Sequence, residues 1–129
     1  MRVVPLRSVE APKRIKPASD RQPEAVRFVV EPAVAAIFGV DVRDLRSRRR
    51  GSPQAAFARQ VAMYLGHVVC RLSLGEIGAL FARDRSTVAH ACGLVEDQRD
   101  DPIFDAKLDY LERAVLALLA ARSLPRSCR

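Results

Sequence analysis

Apolar residues recur with helical spacing along most of the chain. Between Gln54 and Arg71 they fall at positions 58, 61, 62, 65, 68 and 69, in steps of three and one. This spacing matches the buried stripe of an amphipathic helix. No run of alternating apolar and polar residues lies between turn signals, as a strand would require. The pattern therefore predicts an all-α fold.

Helix start and stop signals divide this pattern into about six helices. Glu31-Pro32 suits a helix start, because proline lacks only an N–H that the first turn does not use, and Gly39 suits its end. Asp41 can cap a short helix from Val42 to about Ser47. The further predicted helices span about residues 54–71, 74–82, 85–99 and 102–122.

The composition changes at both ends of the helical pattern. Residues 1–25 hold four of the 8 prolines among scattered basic groups and show no sustained period. We expect a disordered arm there, a single domain over residues 26–122, and a flexible tail over residues 123–129.

The chain is basic, with 22 Lys and Arg against 15 Asp and Glu and a formal net charge of +7. Such a balance favours encounters with polyanions, and the basic excess lies upstream of an acidic segment at residues 95–122. The opening residues contain no apolar stretch typical of a signal peptide, and no uncharged run is long enough to cross a membrane. We expect a cytoplasmic, nucleoid-associated protein with reduced cysteines and no membrane contact.

Two consecutive predicted helices, about 74–82 and 85–99, have the layout of a helix-turn-helix. Small Gly78 lies where the helices would cross, Val88 points inward, and Ser73 with Glu76 forms a capping box at the first helix start. Arg donates to guanine O6 and N7, Asp accepts from cytosine N4, and hydroxyls bond to either kind of group. The predicted base contacts at the exposed start of the second helix are Asp84, Arg85, Ser86, Thr87 and His90.

The same region resembles a known family. The motif SLxEIGxxF over Ser73–Phe81, followed by RDxSTVxHA over Arg83–Ala91, resembles the C-terminal DNA-binding domain of the bacterial replication initiator DnaA. The resemblance extends over about residues 28–100. It implies a helix-turn-helix fold, similar to that of the Trp repressor, that binds double-stranded DNA at DnaA boxes.

The resemblance also assigns roles to individual residues. It implies that Asp84, Ser86, Thr87 and His90 face the major groove, and that Arg48, Arg49 and Arg50 form a minor-groove arm. The residues implied to lie near phosphates are Arg59, Gln60, Ser73 and Leu74. The chain departs from the family pattern at Arg85, Phe57 and Gly93, where a histidine, an arginine and a basic residue are usual.

Motifs for nucleotide or metal chemistry are missing from this sequence. No G-x-x-x-x-G-K-[ST] occurs, and none of Lys13, Lys16 and Lys107 follows a glycine. His90 and Cys92 are two positions apart, so a helix would point them in different directions. We therefore expect no enzyme activity, no ATPase, no nucleotide, no cofactor and no metal.

The sequence predicts specific double-stranded DNA binding by an initiator-type domain that regulates replication initiation or transcription. The departures from the family pattern leave one alternative of another class, a protein-interaction module. Such a module would bind the replication initiator or another partner through the last helix. A nonspecific architectural DNA-binding protein is a third alternative.

Overall fold

The computed structural model describes residues 23–47 and 51–122, and within these ranges the chain is helical, without strands. The predicted all-α fold with about six helices is confirmed. Most of the predicted arm, the whole predicted tail and Arg48, Arg49 and Arg50 lie outside the described residues. In chain order the elements are a π-helical segment Val26–Val30 and the helices α1 Glu31–Phe38, α2 Val42–Arg46, α3 Pro53–Val68, α4 Leu74–Phe81, α5 Arg85–Gln98 and α6 Pro102–Arg122.

The π-helical segment runs directly into α1 and was not predicted. The N–H of Glu31 donates to the carbonyl of Val26, five residues back, instead of four. Pro32 has no N–H, and its ring would clash with the carbonyl four residues before it in a regular helix. The wider π turn accommodates this proline, so that the helix continues upstream of the predicted start.

Side-chain caps fix the starts of three helices. Asp41 accepts from the N–H of Arg43 at 2.8 Å at the start of α2, and Ser52 accepts from the N–H of Ala55 at 3.0 Å at the start of α3. The predicted capping box of α4 is confirmed. Ser73 Oγ accepts from the N–H of Glu76 at 3.0 Å, and Glu76 Oε1 accepts from the N–H of Ser73 at 2.7 Å.

The core is built around α3, which packs against the π-helical segment, α1, α2, α4 and α5. The centre of this core is aliphatic, and Val61, Ala62 and Leu65 of α3 are fully buried there. An aromatic trio closes one side: Phe57 lies 5.9 Å from Phe38 and 5.4 Å from Phe104, measured between ring centroids. Phe57, one of the departures from the family pattern, therefore joins α3 to α1 and α6.

A buried charged network attaches α6 to the rest of the fold. Arg99, directly after α5, donates through Nε to Asp105 at 2.6 Å and through Nη1 to Glu112 at 2.9 Å and to the Tyr64 hydroxyl at 3.0 Å. Burial lowers the pKa of Arg99, but the hydrogen bonds to Asp105 and Glu112 raise it more, so the pKa lies above its ordinary value. The guanidinium is therefore charged and ties α6 to α3.

Candidate nucleic-acid interface

The crossing of α4 and α5 depends on a glycine. A Cβ built on Gly78 would lie 2.5 Å from the carbonyl oxygen of Arg83, closer than side chains approach backbone. The same glycine accepts from the N–H of Arg83 at 2.9 Å. The turn over residues 82–84 can lie against α4 because position 78 has no side chain.

Ala82 makes that turn tight. It ends α4 in the left-handed conformation, with φ +56°, which is a conformation that glycine usually provides. A non-glycine residue pays for this conformation with about 1 kcal/mol of strain. The next two residues lead directly into α5, so the turn sets the position of the α5 start relative to α4.

The start of α5 presents polar side chains to solvent. All five predicted base-contact residues are exposed, while Val88, Ala91 and Val95 on the opposite side are buried. Asp84 occupies the N-cap position, yet its carboxylate forms no hydrogen bond to the helix backbone. The exposed residues that the structure brings together here are Asp84, Arg85, Ser86, Thr87 and His90.

Two small residues continue this exposed face toward the C-terminal end of α5. Ala89 and Gly93 are exposed, and a Cβ built on Gly93 would meet no atom within 4 Å. The fold therefore does not require a glycine at position 93. The absent side chain leaves space on the outside of the helix.

An open groove lies beside the turn, lined among others by Gly75, Ala79, Asp84 and Thr87. Ser73 is exposed at the start of α4, where the helix dipole favours negative charge.

Two other residues of the predicted phosphate set are less accessible than Ser73. Gln60 and Leu74 are half-buried, and Leu74 packs against the core. The contact of these residues and of Ser73 with phosphates stays a prediction.

Arg59, which the family resemblance assigns to phosphates, is engaged within the fold. Its side chain is buried, donating through Nε to the carbonyl of Leu45 at 3.1 Å and through Nη2 to the carbonyl of Asp44 at 2.8 Å. Burial lowers the pKa of Arg59, and the nearby charge of Arg83 lowers it further. Arg59 therefore holds the end of α2, and its contact with a phosphate stays a prediction.

Arg83 is a further residue that sequence reasoning did not single out. Its Nη1 donates to the carbonyl of Phe81 at 2.7 Å, and its Nη2 donates to the carbonyl of Ser47 at 3.3 Å. The motif RDxSTVxHA contains this arginine, but the motif alone does not indicate a partner 36 residues away.

Arg46, at the end of α2, is engaged within the fold. Its Nε lies 2.6 Å from Oε1 of Glu31, whose side chain is only 1% exposed. Arg27 also approaches this carboxylate, at 3.9 Å. The last residue of α2 is thus attached to α1 by an ion pair, directly before the segment that leads to Arg48.

The described residues hold no cluster of three or more metal-ligating side chains. His67 Nδ1 lies 2.8 Å from the carbonyl oxygen of Leu72, and burial raises the pKa of the Cys70 and Cys92 thiols to about 11. Of the helices in residues 23–47 and 51–122, none combines the length and the apolar character that a membrane span requires.

Comparison with known proteins places these features in a family. Residues 29–95 match the family described as the bacterial DnaA protein helix-turn-helix. The chromosomal replication initiator protein DnaA of Thermoanaerobacter sp. is 29% identical over 98 residues, which cover 75% of this chain and 22% of that protein. The initiator DnaA of Desulfotalea psychrophila is 36% identical over 88 residues, which cover 67% of this chain and 18% of that protein.

A solved structure agrees with these relatives. The crystal structure of a DNA replication initiation factor superposes with a TM-score of 0.69 and 30% sequence identity, and the match covers 91% of this chain and 35% of that chain. The chain spans about a fifth of the length of the two DnaA relatives named above. The family match includes both helices of the helix-turn-helix and the exposed start of α5. The chain belongs to the bacterial DnaA helix-turn-helix family, a family of DNA-binding domains.

Proposed function

We propose that this protein binds double-stranded DNA specifically, at a site similar to a DnaA box, with the start of α5 in the major groove. It regulates replication initiation or transcription by occupying such sites, and this sequence contains no nucleotide-binding motif for ATP hydrolysis. The observation that carries the proposal is the exposed polar start of α5, where the Asp84 carboxylate is not used to cap the helix.

The exposed residue types match the groups at base edges. Arg85 suits guanine O6 and N7, Asp84 suits the amino group of cytosine, and Ser86 and Thr87 suit a donor, an acceptor or a thymine methyl group. His90, one turn further on, extends the same surface. Together these side chains can distinguish base pairs over one stretch of major groove.

Other residues supply contacts without base specificity. Ser73 is exposed at the start of α4 and Gln60 is half-buried in α3, and we assign both to phosphates. The arginines Arg48, Arg49 and Arg50 are assigned to the adjacent minor groove, where a narrow groove attracts guanidinium groups.

The test begins with selection of bound sequences from a random duplex pool, followed by footprinting of the selected site. Arg85→Ala is expected to weaken binding to the selected duplex by about 1–3 kcal/mol and to relax the base preference at one position. Arg113→Ala, which removes one exposed positive charge from α6, is the matched control and should retain the preference. If Arg85→Ala bound the selected and scrambled duplexes as the parent does, the assignment of base contacts would be wrong.

A second candidate function is a protein-interaction module that uses α6 to bind the replication initiator or another partner. Ile103 is 77% exposed and Tyr110 is 56% exposed, and they lie seven positions apart on the same face of the helix. Selection with such a module would yield no consensus sequence from the duplex pool. Its DNA binding would be lost with excess competitor DNA. Specific DNA binding that survives Tyr110→Ala would argue for the first function.

A further inference from the structure

The end of α2 is held by two arginines from other elements. The last carbonyls of a helix have no partners within the helix and need donors from elsewhere. Those of Asp44 and Leu45 accept from Arg59 in α3, and that of Ser47, the next residue after α2, accepts from Arg83. Three backbone groups directly before position 48 are therefore attached to the body of the domain.

This arrangement places two like charges close together. Burial lowers the pKa of Arg59, and the like charge of Arg83 lowers it further. The C-terminal end of a helix carries a partial negative charge, and its carbonyls offset part of the repulsion between the two charges. The two side chains converge here because each donates to different carbonyls at the end of α2.

Arg83 connects two regions that are distant in sequence. It directly precedes Asp84, the N-cap of α5, and its guanidinium bonds both to Phe81 at the end of α4 and to Ser47. The same side chain therefore spans the turn of the helix-turn-helix and the point where the chain leaves α2. The ion pair between Arg46 and Glu31 fixes α2 on the side of α1.

We propose that Arg83, supported by Arg59, is a positioning residue for DNA recognition. It fixes the point from which the Arg48–Arg50 segment departs relative to the start of α5, so that minor-groove and major-groove contacts fall on adjacent parts of one duplex. This proposal rests on the proposed function. It gives Arg83 no contact with DNA of its own.

The test is a double-mutant cycle on the duplex selected by the parent protein. Arg83→Lys keeps the charge, but a lysine is a point donor that cannot span the carbonyls of Phe81 and Ser47 together. We expect this variant to bind about tenfold more weakly than the parent, the equivalent of one charge-assisted hydrogen bond. In a background that carries Arg48→Ala, Arg49→Ala and Arg50→Ala, the same change should have no further effect, because the segment that it positions no longer binds.

A footprint separates positioning from general damage to the fold. With Arg83→Lys, protection of guanine N7 in the major groove should persist at saturating protein, while hydroxyl-radical protection of the flanking minor groove should decrease. Arg113→Lys, on the exposed surface of α6, is the matched control and should leave both protections unchanged. Loss of both protections in parallel, in a variant that circular dichroism shows to be folded, would overturn the proposal.

The remaining outcomes distinguish this inference from the proposed function. A tenfold loss that appears equally in both backgrounds would show that Arg83 contacts DNA directly, and an unchanged affinity of Arg83→Lys would show that it has no role. Either result overturns the positioning role alone. A parent protein that returns no consensus from the duplex pool overturns the proposed function, and the positioning role with it.

Discussion

Charged residues are buried and hydrogen-bonded on one side of this domain and exposed to solvent on the other. On the side of α6, Arg99 has a side chain that is 0% exposed, and it donates to Asp105, Glu112 and Tyr64. At the start of α5, Asp84 and Arg85 are exposed, and the carboxylate of Asp84 does not cap its helix.

This difference follows from the cost of removing charge from water. A buried charge is tolerated when protein groups replace most of its hydration, and a group engaged in this way is not available to a ligand. A charge that stays in water keeps its hydrogen-bonding capacity for another molecule. The side of α6 therefore serves stability, and the start of α5 is the side suited to binding.

The largest expected effect comes from breaking the network on the side of α6. Arg99→Met leaves the carboxylate of Glu112, only 7% exposed, without its partner and should lower the free energy of unfolding by about 3–5 kcal/mol. Urea denaturation measures this loss. Arg113→Met, at an exposed position of α6, should stay within about 0.5 kcal/mol of the parent.

The same variant tests whether the two sides are independent. At low temperature, where folded Arg99→Met predominates, its affinity for the selected duplex should equal that of the parent. A marked loss of affinity in the folded variant would show that the network on the side of α6 also shapes the start of α5.

Next in size is the effect of a side chain at the crossing of α4 and α5. Gly78→Ala places a methyl group against the carbonyl of Arg83 and should lower the free energy of unfolding by about 1–3 kcal/mol. Gly75→Ala is the matched control, because a Cβ there would lie 3.9 Å from its nearest neighbour, Ser73 Oγ. Equal denaturation midpoints for these two variants would contradict the close approach at Gly78.

Gly93→Ala separates stability from binding at a single position. The added methyl group meets no atom of the protein, and alanine favours a helix over glycine by about 1 kcal/mol, so the free energy of unfolding should rise by about that amount. The affinity for the selected duplex should fall, because the methyl group projects from the face assigned to the groove. A variant that is more stable and binds equally well would place Gly93 outside the interface.

The smallest expected effect is relief of strain in the turn. Ala82→Gly removes the cost of the left-handed conformation but adds freedom to the unfolded chain, so the free energy of unfolding should rise by about 0.5 kcal/mol. Ala79→Gly, at an exposed position within α4, should lower it by about 1 kcal/mol. Thermal denaturation of the two variants should therefore shift in opposite directions.

Much of the fold could be predicted because it depends on local chemistry. The apolar period determines which face of α3 is buried, and Ser73 with Glu76 closes a capping box within four residues. The exposure of Arg85 and His90 follows in the same way from the buried positions of Val88 and Ala91 on α5.

The sequence by itself thus determined the six helices α1 to α6, the caps at Asp41 and Ser73 and the polar face of α5, since these depend on residues within a few positions of each other. It did not indicate the π-helical segment upstream of α1. Only the tertiary structure decided that Arg59 is buried against the end of α2, that Arg83 reaches Ser47 and that Arg99 joins α5 to α6. An arginine side chain is long, and periodicity cannot tell whether its guanidinium meets water, DNA or a carbonyl. That outcome depends on which distant backbone groups the packed helices bring within hydrogen-bonding distance.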